Sequence, residues 1–387
     1  MVSLTAWVAP DDLIAVQTKL SRMGSAPNAK SRRWAGTRQH ATRPLDLDAA
    51  SSRASVTPMQ NARPLRRALS YMAILLAGAG AVLWFFFERD MVELRARITG
   101  VSQTLETPYG VVEYAEAGEG NPVLVIHGSG GGFDQGLEMV APLAERGYRL
   151  IAPSRFGYLG SSFPDGASPE MQADAFVALL DGLGLQRVAV IGGSAGALSA
   201  MQFAVRHPER CAALVLFVPA SFSPNREPNE APVEGPIAGP LLRTLLGSDF
   251  VFWLATTSAP DTMTRILLAT EPAVIEQADL KEQQRASAIL RHILPVSSRA
   301  DGLFLDMRTA GAPPRYELER ITCPVLTVSA EDDLYGTAAS AAYTAEQVLN
   351  GRALIYPTGG HILAGHNEKV WREVGSFLQS VGRLTSL

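Results

Sequence analysis

The sequence predicts an α/β protein built on a doubly wound, mainly parallel sheet, and three features predict it. Short, nearly all-apolar runs rich in β-branched residues recur along the chain. Strands buried on both faces of a parallel sheet read this way. Amphipathic stretches such as SPEMQADAFVALLDGLG and SAMQFAVRHPER separate these runs, and strand-helix-strand repetition implies right-handed crossovers. One run ends in GGSAG, a serine crowded by very small residues.

Composition bounds the rest. The 387 residues are 47% hydrophobic and 19% charged, enough for one large domain or two ordinary ones. The net charge of -4 offers no basic field to draw nucleic acid, so no nucleic-acid partner is expected. Two cysteines cannot build a disulfide framework, and neither lies in a metal-ligand spacing. Cys211 and Cys323 each open an apolar run and read as buried free thiols.

Residues 1–67 are rich in Arg, Ser, Ala and Pro with weak periodicity, which predicts a disordered segment. Met59 is an alternative start to Met1. Residues 68–87, ALSYMAILLAGAGAVLWFFF, carry no charge and match the roughly 20 residues that span a bilayer as a helix. Arg63, Arg66 and Arg67 precede the run, and Trp84 with Phe85, Phe86 and Phe87 closes it. Basic residues on the N-terminal side predict a cytoplasmic N-terminus and an exported remainder. FFFERDMVE offers no small-residue cleavage site, which favours an uncleaved signal-anchor over a signal peptide. The anchor shares no motif with the rest, so activity is expected to survive its removal through residue 90.

From about residue 98 the strand-like runs are YGVVEYAEAG, PVLVIHG, YRLIAPS, RVAVIGG, AALVLFVP, PVLTVSA and RALIYPTGG. One interval breaks the rhythm. Between LVLFVPAS and CPVLTVSA roughly a hundred residues pass in helical patterns, too long for a structureless loop. An inserted helical lid is the reading. The domains follow: a core from 98–220, a cap from 221–318 and a second core part from 319–382.

GGSAG fits G-x-S-x-G between an apolar strand and a helical pattern, the context of a nucleophile elbow. The turn is so tight that only very small residues fit at Gly192 and Gly196, and glycine tolerates unusual dihedrals. Ser194 is the candidate nucleophile, beside a helix N-terminus that favours developing negative charge. A serine needs a base. Of the six histidines, His40 lies in the tail, His127 in a glycine loop and His207 at a helix end. His292 lies in the lid without an evident partner. His361 in YPTGGHIL is the candidate base, with His366 as the alternative. The base needs a carboxylate. AEDD after a buried run offers Asp333, with Asp332 second, in the chain order serine, acid, histidine. The oxyanion donors are expected to be the Ala195 N–H and the N–H of Ser129 or Gly130, from HGSGGGF. That loop lacks the G-K-[ST] and the G-x-G-x-x-G register of phosphate-binding loops.

HGSGGG, APSRFGYLGSS, GGSAGA, RHPERCAALVL, PVLTVSAEDD and GGH, in this order over about 103–378, together resemble the lid-bearing branch of the α/β-hydrolase fold family. The resemblance implies an eight-stranded, mostly parallel sheet with a helical cap after the sixth strand, and makes Asp333 the acid. Ala197 and Ala330 stand where members often carry glycine. HGSGGG is similar to the loop of carbon–carbon bond hydrolases of aromatic ring-cleavage pathways, where a proline is usual, and to proline iminopeptidase-like enzymes.

The leading expectation is a serine hydrolase of the carboxylesterase type acting on a small apolar acyl ester, with no metal and no organic cofactor. The same triad on an amide or a carbon–carbon bond is the alternative, and a non-catalytic hydrolase-like receptor the third reading. Phe250, Phe252 and Trp253 in FVFWLATT either line an apolar pocket or bury the lid against its neighbours.

Overall fold

The computed structural model describes residues 62–226, 243–244 and 246–385. Both start methionines, most of the segment expected to be disordered, and residues 227–242 of the expected cap lie outside the described residues.

Eight strands form one sheet in the order β1-β2-β4-β3-β5-β6-β7-β8. They are β1 (Gln103–Thr107), β2 (Gly110–Ala117), β3 (Asn121–Ile126), β4 (Tyr148–Pro153), β5 (Val188–Gly193), β6 (Cys211–Phe217), β7 (Val325–Ala330) and β8 (Gly351–Tyr356). β1, β2 and β4 pair antiparallel, and the remaining pairs are parallel. The sequence runs named above become β2 to β8. β1 was not among them: QTLET is largely exposed and has no apolar period to mark it.

The central strands are mostly apolar because both faces are covered. Along β3, Leu124 and Ile126 join one core with Phe176, Leu179 and Phe203. Val123 and Val125 join the other with Val140, Leu150, Trp371 and Val374. Helices α3 (Pro169–Gly182) and α4 (Gly196–Arg206) cover the first face, and α2 (Phe133–Ala144) and α11 (Asn367–Thr385) the second. Burial of a large apolar side chain contributes about 1.5–3 kcal/mol, so strand register is fixed from both sides. Ser168 caps α3 by accepting the Met171 N–H, a cap with proline at the first helical position.

Between β6 and β7 the described chain forms α5 (Asp249–Ser258), α6 (Pro260–Leu267), α7 (Pro272–Glu276), α8 (Leu280–Arg291) and α9 (Ala300–Gly311). α10 (Thr337–Gln347) follows β7.

The N-terminal helix, α1 (Ala62–Ala96), is 35 residues long. Its apolar part is exposed, with a mean hydropathy of 1.9 over its most apolar window. It is long and apolar enough to cross a membrane. The expected span ended at residue 87, with the closing aromatics at an interface. Here the structure differs. The helix continues to Ala96, and Phe87 (4% exposed), Met91 and Leu94 are buried with Phe252, Trp253, Leu290 and Ile293 of the cap. These three residues fall at helical spacing and form one stripe. The Trp253 indole N–H donates to Asp90 at 3.0 Å. Phe252 and Trp253 therefore bury the cap against α1. Removal of residues 1–90 would strip Phe87 and Asp90 from the cap.

Candidate active site

Ser194 sits in the turn between β5 and α4 with φ of 50°, a left-handed conformation that costs a non-glycine residue energy. The two elbow glycines are required for a different reason, close approach. A Cβ on Gly196 would lie 2.2 Å from the His127 carbonyl oxygen, and one on Gly192 2.6 Å from the Ala200 Cβ. The strain thus rests on Ser194 itself. Its N–H donates to the Phe217 carbonyl at 2.8 Å, which pins the elbow to the end of β6.

His361 follows β8 and lies 2.9 Å from Ser194 Oγ through Nε2, and 2.8 Å from Asp333 Oδ2 through Nδ1. Its backbone N–H donates to Thr270 Oγ1 at 3.0 Å, and the Tyr335 ring packs edge-on against it at 5.0 Å. Asp333 follows β7. It accepts from the Tyr335 N–H at 2.8 Å and from the Thr337 hydroxyl. Burial works to raise the Asp333 pKa. The His361 charge and ring N–H, the Thr337 hydroxyl and the Tyr335 N–H outweigh it, and the carboxyl ends below its ordinary value. An ionised carboxylate on Nδ1 leaves Nε2 free to accept a proton from the serine.

The alternatives are elsewhere. Asp332 accepts the N–H groups of Gly359 and Gly360, at 3.1 and 2.8 Å, so it holds the loop that carries His361. His366 stacks on Tyr356 at 4.2 Å. His207 pairs with Asp174 at 2.8 Å, and His292, which showed no partner in the sequence, pairs with Glu138 at 2.9 Å. His127 is fully buried: its Nδ1–H donates to the Gly128 carbonyl at 2.7 Å and its Nε2 accepts the Arg155 N–H at 2.9 Å. Burial first, then the Arg155 charge, push its pKa well below 6.5, so His127 is a neutral structural group.

Of the two loop donors expected from the sequence, Gly130 is engaged: its N–H donates to Tyr158 Oη at 3.3 Å. Among the described residues no protein acceptor stands on the N–H of Ser129 or of Ala195. Of the three N–H groups expected from the sequence, these two are unengaged. The Cβ position of Gly128 lies 3.2 Å from the Ser194 Cβ, so the glycine loop runs beside the serine.

Sequence reasoning missed the buried charges around this loop. Arg299 of the cap is 0% exposed and donates to Asp134 Oδ2 at 2.8 Å and to the Gly131 carbonyl. Asp306 of α9 pairs with Arg155, which follows β4, at 2.5 Å. A charge one residue past the apolar run LIAP, as Arg155 is in YRLIAPSR, was the available signal for one half of that pair. Among the described residues no cluster of His, Cys, Asp and Glu could hold a metal ion.

A family model for the alpha/beta hydrolase fold matches residues 121–365. The chain is 27% identical over 284 residues to the uncharacterized hydrolase YcgS of Bacillus subtilis, covering 71% of this chain and 96% of that one. It is 33% identical over 114 residues to a 2-hydroxy-6-oxo-6-phenylhexa-2,4-dienoate hydrolase of Comamonas testosteroni, covering 28% of this chain. The match spans 40% of that relative's length. Among solved structures, an alpha/beta hydrolase fold protein from Nakamurella multipartita is similar with a TM-score of 0.56 at 28% identity, over 73% of this chain and 99% of that one. With the family's pattern matched over most of the sheet and the cap, the chain belongs to the alpha/beta hydrolase fold family.

Proposed function

We propose that the protein is a serine hydrolase that cleaves small-molecule carboxylic esters with apolar acyl groups, held to a membrane by α1. The observation that carries this reading is the continuous chain from Ser194 Oγ through the His361 ring to Asp333, at 2.9 and 2.8 Å. Ser194 Oγ attacks the ester carbonyl carbon while His361 Nε2 takes its proton. The carbonyl oxygen becomes an oxyanion facing the N–H groups of Ala195 and Ser129. The intermediate collapses, the bond to the alkoxy oxygen breaks, and His361 returns the proton to the leaving alcohol. Water, deprotonated by His361, then attacks the acyl-enzyme and releases the acid. Asp333 stays ionised throughout.

The anchor reading rests on the exposed apolar stretch of α1 and on Arg63, Arg66 and Arg67 before it. It puts the N-terminus in the cytoplasm and the catalytic part outside. A second bond class has a specific observation in its favour, the likeness to a ring-cleavage product hydrolase. On that reading the same serine and histidine cleave a carbon–carbon bond next to a ketone.

The test is turnover by the full chain in detergent of p-nitrophenyl esters of rising acyl length, beside a 2-hydroxy-6-oxo-dienoate. Ester turnover that peaks at one acyl length and is lost in Ser194→Ala is the expected result. Turnover of the dienoate alone replaces the ester reading with the carbon–carbon one.

A further inference from the structure

We infer that Asp306, a carboxylate of the cap helix α9, is the positioning residue of the oxyanion loop. The inference rests on the reading of Ser194 as nucleophile and goes one step beyond it.

Asp306 is buried, and its oxygens are shared among groups from two other parts of the chain. Oδ1 accepts from Arg155 Nη1 at 2.6 Å, and Oδ2 from Arg155 Nη2 and Tyr158 Oη, both at 2.5 Å. Oδ2 also accepts from Ser129 Oγ at 2.9 Å. Each partner leads to the same short loop. Tyr158 Oη, donating its proton to Asp306, is free to accept the Gly130 N–H. Arg155 Nη2 also donates to the Gly128 carbonyl at 3.1 Å. Ser129 is thus held by its own side chain, and its two neighbours are held by their backbones. The loop has one unengaged N–H between these restraints, that of Ser129.

The Arg155–Asp306 pair itself bonds two successive loop residues, Gly128 and Ser129, and reaches the third, Gly130, through Tyr158. A buried carboxylate is costly unless it is fully paired, and here its partners are side chains that hold the loop whose Ser129 N–H would face the oxyanion. Oxyanion stabilisation depends on donors fixed in place before charge develops. A cap carboxylate 177 positions from Ser129 in sequence therefore sets the aim of one donor. The cap takes part in catalysis through this loop as well as through whatever substrate it covers.

The test uses the full chain in detergent with probes that require no knowledge of the substrate. Tyr158→Phe keeps the ring and the Arg155–Asp306 pair but removes the hydroxyl. Ser129→Ala removes the Oγ bond and keeps the backbone N–H. Each is expected to slow phosphonylation of Ser194 by a fluorophosphonate, and to weaken binding of an aryl trifluoromethyl ketone, by about tenfold, with the apparent KM for an ester within about threefold of the parent. Asp306→Asn, judged against Tyr158→Phe in case it folds poorly, is expected to lose about a hundredfold. Variants with the parent's thermal midpoint and unchanged ketone affinity overturn the inference, and so does a raised KM at constant kcat. A parent chain that resists the fluorophosphonate sinks the hydrolase reading itself, and this inference with it.

Discussion

The carboxyl ends of the strands and the cap contribute to the site in opposite ways. Ser194, Asp333 and His361 each follow a strand, β5, β7 and β8; β5 and β7 are buried almost throughout, while β8 is an edge strand held by its pairing with β7. Their side chains are aimed by that backbone, with small residues giving clearance at Gly192 and Gly196. The cap has no such scaffold. It reaches the site through buried polar side chains, Thr270 on the His361 backbone and Asp306 and Arg299 on the glycine loop, and it is itself seated on α1 through Phe87, Met91 and Leu94. On the proposed reading the sheet builds the reacting groups from local chain geometry, while the cap holds the residues around them by long-range pairs.

The largest contrast should appear in turnover. His361→Ala is expected to lower kcat by about a millionfold, and Asp333→Asn by about ten-thousandfold. Cap substitutions at Asp306 should cost far less, and steady-state kinetics on an ester orders the series. Equal losses at Asp306 and His361 would erase the distinction between reacting and aiming residues.

Next in size is the seat of the cap. Phe87→Ala removes a buried ring from the contact with Phe252 and Trp253 and is expected to destabilise the folded chain by about 3–5 kcal/mol. Denaturant titration of the detergent-solubilised protein, followed by tryptophan fluorescence, measures it. An unchanged midpoint would mean that α1 tethers the cap without supporting it.

Gly196→Ala asks the same of the strand end. Its Cβ would meet backbone, the His127 carbonyl oxygen at 2.2 Å, which no side-chain adjustment relieves. A loss of about 1–3 kcal/mol with a far greater loss of activity is expected, readable as a lowered thermal midpoint beside turnover. A fully active Gly196→Ala chain would show that the elbow is less tight than drawn.

The smallest effect is a pH slope. His127 is held neutral in the fold, its pKa pushed well below 6.5 by burial and by Arg155. The unfolded chain takes up a proton below about pH 6.5 that the folded chain refuses, so stability falls as pH drops, by up to about 1.4 kcal/mol per unit. Asp333 and Asp134 have lowered pKa values. Their stabilisation is complete above the ordinary carboxylate range near pH 4 and is lost below it. Unfolding free energies between pH 6.5 and 5 isolate the histidine, and His127→Asn should flatten the slope. A slope that persists in the variant assigns it to another group.

These differences also decide what could be read in the chain. GGSAG, AEDD and GGH are legible because each chemical group sits beside the residues that shape its turn. The sequence put Asp333 ahead of Asp332, and the structure shows what separates them: one faces the His361 ring and the other its loop backbone. Ser129 and Gly130 could not be separated in the sequence without Tyr158, which occupies one of the two N–H groups. β1 escaped because an exposed edge strand such as QTLET carries no burial pattern. The stripe of Phe87, Met91 and Leu94 was written at helical spacing, but the charges in ERD hid it by marking an end to the apolar run. Asp306 and Arg155 stood far apart in sequence, and nothing local marks two such residues as partners.

The decisive measurement is the mapping of a fluorophosphonate adduct on the full-length protein in detergent, by digestion and mass spectrometry. A single modified serine, Ser194, is expected, with labelling lost in Ser194→Ala and strongly slowed in His361→Ala. A folded chain that takes no adduct, or takes it at another serine, would contradict it.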